Sequence, residues 1–177
     1  MLYSSMLIVF LRGETMPHLQ LFTDASVNTQ VKVGYGAYLV VNEECKPIEI
    51  FKDKVKIKRF EQTSSTKLEL QTLLWALDEM IVLDEQSDIT ITIYSDSQNI
   101  IGLPGRRSGL ERNDYCSVKN KKLNNHELYQ EFYRLISSIK CELVKVAGHQ
   151  KSGNKDDINR LFSLVDKASR RALREEF

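Results

Sequence analysis

The chain has 177 residues, of which 42% are hydrophobic and 28% charged, and its net charge is +1. These values are typical of one globular domain with its own core, and they exclude a collagenous or disordered chain. No apolar run approaches the roughly 20 residues that cross a bilayer, and three widely spaced cysteines indicate reduced thiols. We therefore expect a cytoplasmic protein with no membrane partner. The near-neutral charge excludes a protein that holds nucleic acid by bulk charge alone.

Charge is unevenly distributed along the chain. Residues 1–95 carry 9 basic and 13 acidic side chains, whereas residues 96–177 carry 16 basic and 11 acidic ones. The densest basic stretch runs from Arg106 to Lys122, and a second series lies between Lys167 and Arg174. A solvated surface is the simpler interpretation. A binding surface for phosphates is the alternative, and it requires an active site nearby.

Regular patterning begins just after Met16, so we expect residues 1–15 to be an N-terminal extension and residues 16–177 to form the domain. From His18, apolar and polar side chains alternate as in a β-strand that ends at Asp24. A polar turn then leads to Gln30. Two further strands are predicted at residues 31–41 and 48–58, the latter with a bulge near residues 52–53. Strands this closely spaced predict an antiparallel meander.

The hydrophobic period then changes from two to 3.6 residues, which indicates a helix that opens with a capping-box sequence from Thr66 to Glu69. A β-branched strand after this helix predicts a parallel crossover onto the sheet. The predicted elements are a strand at residues 88–94, a short helix at 97–103 stopped by Pro104, a loop to residue 122, a helix at 124–138, a strand at 141–146 and a helix at 156–174. The predicted fold class is α/β, a mixed five-stranded sheet flanked by helices.

Four acidic side chains occupy distinctive positions. Asp24 and Asp96 follow the first and fourth strands, Glu69 lies in the first turn of a helix, and Asp166 lies at the edge of the apolar stripe of the last helix. Each has a simple structural explanation: a turn for Asp24, a helix cap for Asp96, the capping box for Glu69, or an ion pair with Arg170 for Asp166. If the two strands are neighbours, however, the carboxylates converge at one edge of the sheet. Carboxylates that converge repel one another unless hard divalent cations bind between them.

Other candidates for catalysis are weaker. His149 lies in a loop between Gly148 and Gly153, where a histidine is either a polar surface residue or a carrier of protons near a metal site. The sequence contains neither a nucleophile elbow nor a phosphate-binding glycine loop. The aromatic cluster of Tyr129, Phe132 and Tyr133 is interpreted as helix packing.

The motifs around these acids resemble those of the type 1 ribonuclease H family. They stand in the family's order and on the corresponding predicted elements, from about residue 19 to residue 174. They are Phe-Thr-Asp-Ala-Ser at 22–26, Lys-Leu-Glu-Leu at 67–70, Tyr-Ser-Asp-Ser-Gln at 94–98, Gly-His at 148–149 and Val-Asp-Lys-Ala at 165–168.

This resemblance implies a ribonuclease H-like fold. It also implies an endonuclease that hydrolyses the RNA strand of an RNA–DNA hybrid with two Mg²⁺ or Mn²⁺ ions, leaving 5′-phosphate and 3′-hydroxyl ends. Residues 16–177 would be the catalytic domain, acting as a monomer. The implied metal ligands are Asp24, Glu69, Asp96 and Asp166.

The resemblance assigns further roles. His149 would assist proton transfer or product release, and Gln98 matches a position that contacts the hybrid in its minor groove. Ser65 and Thr66 fall where the family contacts 2′-hydroxyl groups, which distinguish RNA from DNA. They replace the asparagine pair of many relatives, and Ala25 stands where many members have glycine.

The Trp-rich basic protrusion of some relatives is missing, and the basic residues 105–122 occupy that part of the chain. Two other functions remain open. A non-catalytic nucleic-acid-binding module would be favoured only by loss of one of the four acids. An exonuclease or resolvase would use the same fold, because fold alone does not determine function.

Overall fold

The computed structural model describes residues 18–42, 47–82, 89–147 and 156–177. Its elements are β1 (His18–Asn28), β2 (Val33–Asn42), a 3₁₀ helix (Ile48–Lys54), β3 (Lys56–Glu61), α1 (Ser65–Val82), β4 (Thr90–Ser95), α2 (Gln98–Arg112), α3 (His126–Ser138), β5 (Lys140–Lys145) and α4 (Asp157–Glu176). The predicted N-terminal extension, residues 1–15, lies outside the described residues. Within the described part of the chain, no helix is long and apolar enough to cross a membrane.

The strands form one mixed five-stranded sheet in the order β3-β2-β1-β4-β5. β1, β2 and β3 pair antiparallel, as the closely spaced strands predict. β4 pairs parallel to β1, and β5 pairs parallel to β4. A helix precedes each of these two strands, as parallel connections require. The predicted fold class is confirmed, and the first and fourth strands, which lead to Asp24 and Asp96, are neighbours.

Two hydrophobic cores lie on opposite faces of the sheet. Leu21 packs in the core that contains α1 and α3, whereas its neighbour Phe22 packs with α4. This division follows from the two-residue period of a strand, in which successive side chains point to opposite faces. Close approach of α1 to β2 requires Gly36, because a Cβ atom there would lie 2.1 Å from Oγ1 of Thr72.

The structure corrects two predictions in the first half of the sheet. β1 continues four residues beyond Asp24, which pairs with Ala37 inside the strand instead of starting a turn. The predicted third strand begins too early, since its first residues form the 3₁₀ helix that buries Phe51 against α4, and β3 starts only at Lys56. Packing of Phe51 takes precedence over the β-like pattern, so the proposed bulge does not exist.

A third correction concerns α2. The prediction that Pro104 stops this helix is wrong, because the helix continues to Arg112. A proline inside a helix costs about 3 kcal/mol through a lost hydrogen bond and a steric clash. Ile100 and Leu103 are fully buried in the core that contains α1 and α3, and Leu110 packs against the same core further along the helix. Part of the predicted basic loop is therefore helical.

Candidate active site

Asp24 and Asp96 lie just beyond the point where the parallel pairing of β1 and β4 ends. The register of β1 and β4 places Phe22 opposite Tyr94, and each acid follows two residues later. The two rings stack with centroids 4.8 Å apart on the side of the sheet covered by α4. Since side chains two residues apart in a strand share a face, the Asp24 carboxylate is directed to that side, and Asp96 is the first residue after β4.

α4 brings the third acid to this position. Val165 is fully buried in the core between α4 and the sheet, and it anchors the turn that carries Asp166. The Asp166 carboxylate forms an ion pair with Arg170, with 2.8 Å between Oδ1 and Nε. The simple interpretation of Asp166 as the partner of Arg170 is therefore correct, and it coexists with a location beside Asp24.

Glu69 approaches from α1 and is joined to the end of β4 by Ser97. The Ser97 hydroxyl donates a hydrogen bond to Oε2 of Glu69. The Ser97 hydroxyl oxygen also caps α2, because it accepts a hydrogen bond from the backbone N–H of Ile100 at 3.4 Å. Burial and the charge of Asp96 raise the pKa of Glu69, while hydrogen bonds from Ser97 and Ser65 oppose that rise.

The two capping hypotheses are corrected by these contacts. The N-cap of α2 is Ser97 and not Asp96. α1 begins at Ser65, so Thr66 lies within its first turn and cannot be the cap of a box with Glu69. Neither acid is explained by helix capping.

Electrostatics shows that three of the acids interact. Burial is the largest cause that raises the pKa of Asp24 to about 7, and the negative charges of Asp96 and Asp166 raise it further. A hydrogen bond donated by Ser169, 2.6 Å from Oδ2 of Asp24, acts in the opposite direction. Burial and the neighbouring negative charges therefore disfavour the ionised form of Asp24.

The donor set fits a hard divalent cation, because such ions take several carboxylate oxygens. Among the residues that the structure describes, no group of three acidic, histidine or cysteine side chains is close enough to form a preassembled metal site. A bound cation would offset both the burial and the repulsion that raise the pKa of Asp24.

The other predicted site residues lie around this cluster. Ser65 and Thr66 are exposed at the start of α1, and Gln98 is exposed in the first turn of α2. Oε1 of Gln98 accepts a hydrogen bond of 2.6 Å from Nζ of Lys145, at the end of β5. His149 lies outside the described residues, so its role stays a prediction.

Sequence reasoning missed three side chains of this region. Ser97, Lys145 and Ser169 contact predicted site residues that lie 28, 47 and 145 positions away in the chain. Only Ser97 had a local signal, since a serine just before a helix is a common N-cap.

A basic surface extends from the site along α2. The Arg106 and Arg107 guanidinium groups lie 5.6 and 5.4 Å from the ring centres of Tyr129 and Tyr133 on α3. Both tyrosines are buried, which confirms that this aromatic cluster is helix packing. The guanidinium groups are exposed and held in position by the rings beneath them.

Comparison with known proteins identifies the family and agrees with the fold. The family model for RNase H matches residues 16–172. A ribonuclease H of Novosphingobium aromaticivorans is 23% identical over 150 residues, covering 84% of this chain and 96% of that protein. A ribonuclease H of Treponema denticola is 26% identical over 145 residues, covering 75% and 86%.

Solved structures share the fold. LC9-RNase H1, described as a type 1 RNase H with the type 2 active-site motif, superimposes with a TM-score of 0.66 at 15% identity, covering 93% of this chain and 76% of that one. A foamy viral protease-reverse transcriptase in complex with dsDNA gives a TM-score of 0.57 at 11% identity, covering 88% and 95%. The family-model match and these relatives define a nuclease of the ribonuclease H class. The chain belongs to the RNase H family, and its activity is that of a ribonuclease H.

Proposed function

We propose that this protein hydrolyses the RNA strand of RNA–DNA hybrids at a site that holds two Mg²⁺ or Mn²⁺ ions. The observation that carries the proposal is the electrostatic coupling of Asp24 to Asp96 and Asp166 where β1 and β4 end their pairing. A cluster that repels itself in this way is a strong candidate for binding divalent cations. The proposed ligands are Asp24, Glu69, Asp96 and Asp166.

The bound ions would supply an activated water and charge stabilisation at the leaving 3′ oxygen, so that cleavage leaves 5′-phosphate and 3′-hydroxyl ends. The chain's own residues orient this chemistry. Asp24 and Asp96 act from adjacent strands, while Glu69 and Asp166 reach the sheet edge from α1 and α4. His149 is proposed to move a proton or assist product release.

Substrate contacts are proposed on both sides of this cluster. Ser65 and Thr66 at the start of α1 are placed to contact 2′-hydroxyl groups, and Gln98 is placed to contact the minor groove. Because Lys145 occupies Oε1 of Gln98, the amide nitrogen remains available as a donor to the hybrid.

The basic surface of α2 is proposed to bind the phosphate backbone. A helix rises about 1.5 Å per residue, so Arg106 lies roughly 14 Å along the axis from Ser97, near the acids. This separation suits a duplex that crosses the site while its phosphates contact the exposed arginines. We propose that the protein acts in the cytoplasm as a monomer.

Cleavage assays on matched substrates test the function. An RNA–DNA hybrid, the corresponding DNA duplex, a DNA junction and the single strands are each incubated with Mg²⁺ or with EDTA. We expect cleavage of the RNA strand of the hybrid alone, and only with Mg²⁺. Binding without cleavage would indicate a non-catalytic module, whereas cleavage of DNA ends or junctions would indicate an exonuclease or resolvase.

A further inference from the structure

Ser169 is a fully buried polar side chain in α4, at 0% exposure, one turn after Asp166. Its hydroxyl oxygen lies 2.6 Å from Oδ2 of Asp24, a residue 145 positions earlier in the chain. α4 and β1 pack closely around this contact, since Val165 and Phe22 are buried in the same core. Ser169 therefore joins the helix that carries one proposed metal ligand to the strand that carries another.

The direction of this hydrogen bond follows from the acceptors available. A buried serine in a helix commonly donates to a carbonyl three or four residues earlier. That carbonyl, of Asp166, lies 3.1 Å from the Ser169 oxygen, farther than the Asp24 carboxylate at 2.6 Å. The hydroxyl has one hydrogen, and a nearer acceptor that can carry a negative charge forms the stronger bond. Ser169 therefore donates to Asp24.

A second hydroxyl extends the contact. The Ser26 oxygen lies 3.2 Å from the Ser169 oxygen, and Ser26 follows Asp24 by two residues on the same face of β1. Since the Ser169 hydrogen is used on Asp24, Ser26 is the donor between the two hydroxyls. The result is a chain in which Ser26 donates to Ser169, and Ser169 donates to Oδ2 of Asp24.

We propose that Ser169 is a positioning residue that orients the Asp24 carboxylate for metal binding, with Ser26 as the outer member of the chain. This inference rests on the proposed function. A hydrogen bond to Oδ2 limits rotation of the carboxylate, so that an incoming cation meets an oriented ligand. Partners of metal ligands commonly contribute 10- to 100-fold to metal affinity.

Direct metal titration tests the role of Ser169 without relying on catalysis. Mn²⁺ binding to the substrate-free protein at neutral pH is followed by electron paramagnetic resonance of the free ion. We expect Ser169→Ala to weaken binding about 10- to 100-fold. Ser169→Cys keeps nearly the same volume but donates weakly, so we expect a comparable loss. Ser26→Ala, one step further out, should weaken binding by less than about 10-fold.

Kinetics gives an independent readout. In Ser169→Ala the Mn²⁺ concentration for half-maximal cleavage should rise by the same factor as the dissociation constant. The rate at saturating Mn²⁺ should return towards the wild-type rate, because the four proposed ligands are retained. A role in packing alone would leave the dissociation constant for Mn²⁺ and the half-maximal Mn²⁺ concentration unchanged.

Thr72→Ala is a matched control. Thr72 is also fully buried and lies three residues after a proposed ligand, Glu69, but its hydroxyl donates to the backbone carbonyl of Leu68. This variant should lose stability and keep its Mn²⁺ affinity. Thermal unfolding in EDTA confirms that each variant is folded.

The outcomes separate this inference from the proposed function. If wild-type protein binds no Mn²⁺, or if Asp24→Asn binds it as well as wild type, the proposed metal site fails and this inference fails with it. If wild type binds, Asp24→Asn does not, and Ser169→Ala has wild-type affinity, only the role of Ser169 is overturned.

Discussion

The hydroxyl of Ser97 donates a hydrogen bond to Glu69 and at the same time caps the helix that follows it. Glu69 belongs to α1, Ser97 precedes α2, and Asp96 lies next to Ser97 at the end of β4. One side chain therefore fixes the start of α2 and brings an acid of α1 to the edge of the sheet. Helix geometry and site geometry depend on the same oxygen.

Substitution of Ser97 is expected to lower stability and activity together. Ser97→Ala removes the cap, which contributes about 1 kcal/mol, and leaves the partly buried Glu69 carboxylate with one donor fewer. We expect a loss of about 1–3 kcal/mol in the free energy of unfolding, measured in urea. Ser97→Asn retains both a capping oxygen and a donor and should recover part of that loss. Equal midpoints for Ser97→Ala and wild type would contradict the dual role.

Asp24 is expected to make the metal-free protein less stable as pH rises. Its pKa is about 7 in the folded protein and 3.8 for the unperturbed group, so the folded protein binds this proton more tightly than the unfolded chain does. The resulting contribution to the free energy of unfolding is fully present below about pH 4 and is lost as pH rises to 7. Asp24→Asn removes the charge and should abolish cleavage while stabilising the protein in EDTA above pH 7, by at most about 4 kcal/mol.

Urea unfolding of both proteins in EDTA at pH 5 and pH 8 measures this difference. The stability gap between Asp24→Asn and wild type should widen from pH 5 to pH 8, and Mg²⁺ at pH 8 should stabilise wild type alone. Asp78→Asn, at an exposed acid of α1, provides the control and should behave as wild type does, with the same pH dependence of stability and the same stabilisation by Mg²⁺. A gap that is the same at both pH values would contradict the electrostatic coupling.

The basic surface of α2 is expected to affect substrate binding more than turnover. Replacing Arg106 and Arg107 together by alanine removes two exposed positive charges, so KM for the hybrid should rise while kcat changes little. The dependence of log K on log salt should also become shallower by about 1–2, as expected for two lost phosphate contacts. Arg171→Ala on α4 removes an exposed arginine from the other side of the sheet and should leave both quantities unchanged. A fall in kcat at constant KM would argue against this surface.

The C-terminal end of α4 is tied to the sheet by Glu176. Its carboxylate accepts hydrogen bonds from the Arg59 guanidinium, at 2.8–3.1 Å, and from the Tyr35 hydroxyl at 2.5 Å. These donors lower the pKa of Glu176 to about 2. Their contribution to stability is therefore present above about pH 4.5 and is lost as pH falls towards 2.

Glu176→Gln should therefore accelerate amide hydrogen exchange in the last turn of α4 at pH 7, with no change in cleavage. Glu175→Gln is the neighbouring control, because Glu175 has a longer ion pair of 3.7 Å with Arg171. Equal exchange rates in Glu176→Gln and wild type would show that the hydrogen bonds of Glu176 do not stabilise the end of α4. The difference in exchange rate between Glu176→Gln and wild type should be smaller at pH 3 than at pH 7, because the wild-type carboxylate begins to protonate.

The mixed sheet and the order of its elements could be predicted because hydrophobic periodicity is local. Alternation from His18 and the helical stripe around Leu73 each follow from neighbouring residues. The continuation of α2 past Pro104 could not be predicted in this way, since burial of Ile100 and Leu103 decides it. The 3₁₀ helix at Phe51 was missed for the same reason, because a distant helix covers that ring.

The sequence by itself determined the RNase H family and the four acids in their order, because those motifs are short and continuous. Only the tertiary structure decided how the acids interact. Asp24 meets Asp166 and Ser169 because α4 packs on the face of β1 that carries Phe22, and this pairing joins residues more than 140 positions apart. The raised pKa of Asp24 and the hydroxyl chain behind it depend on that packing, which no local pattern encodes.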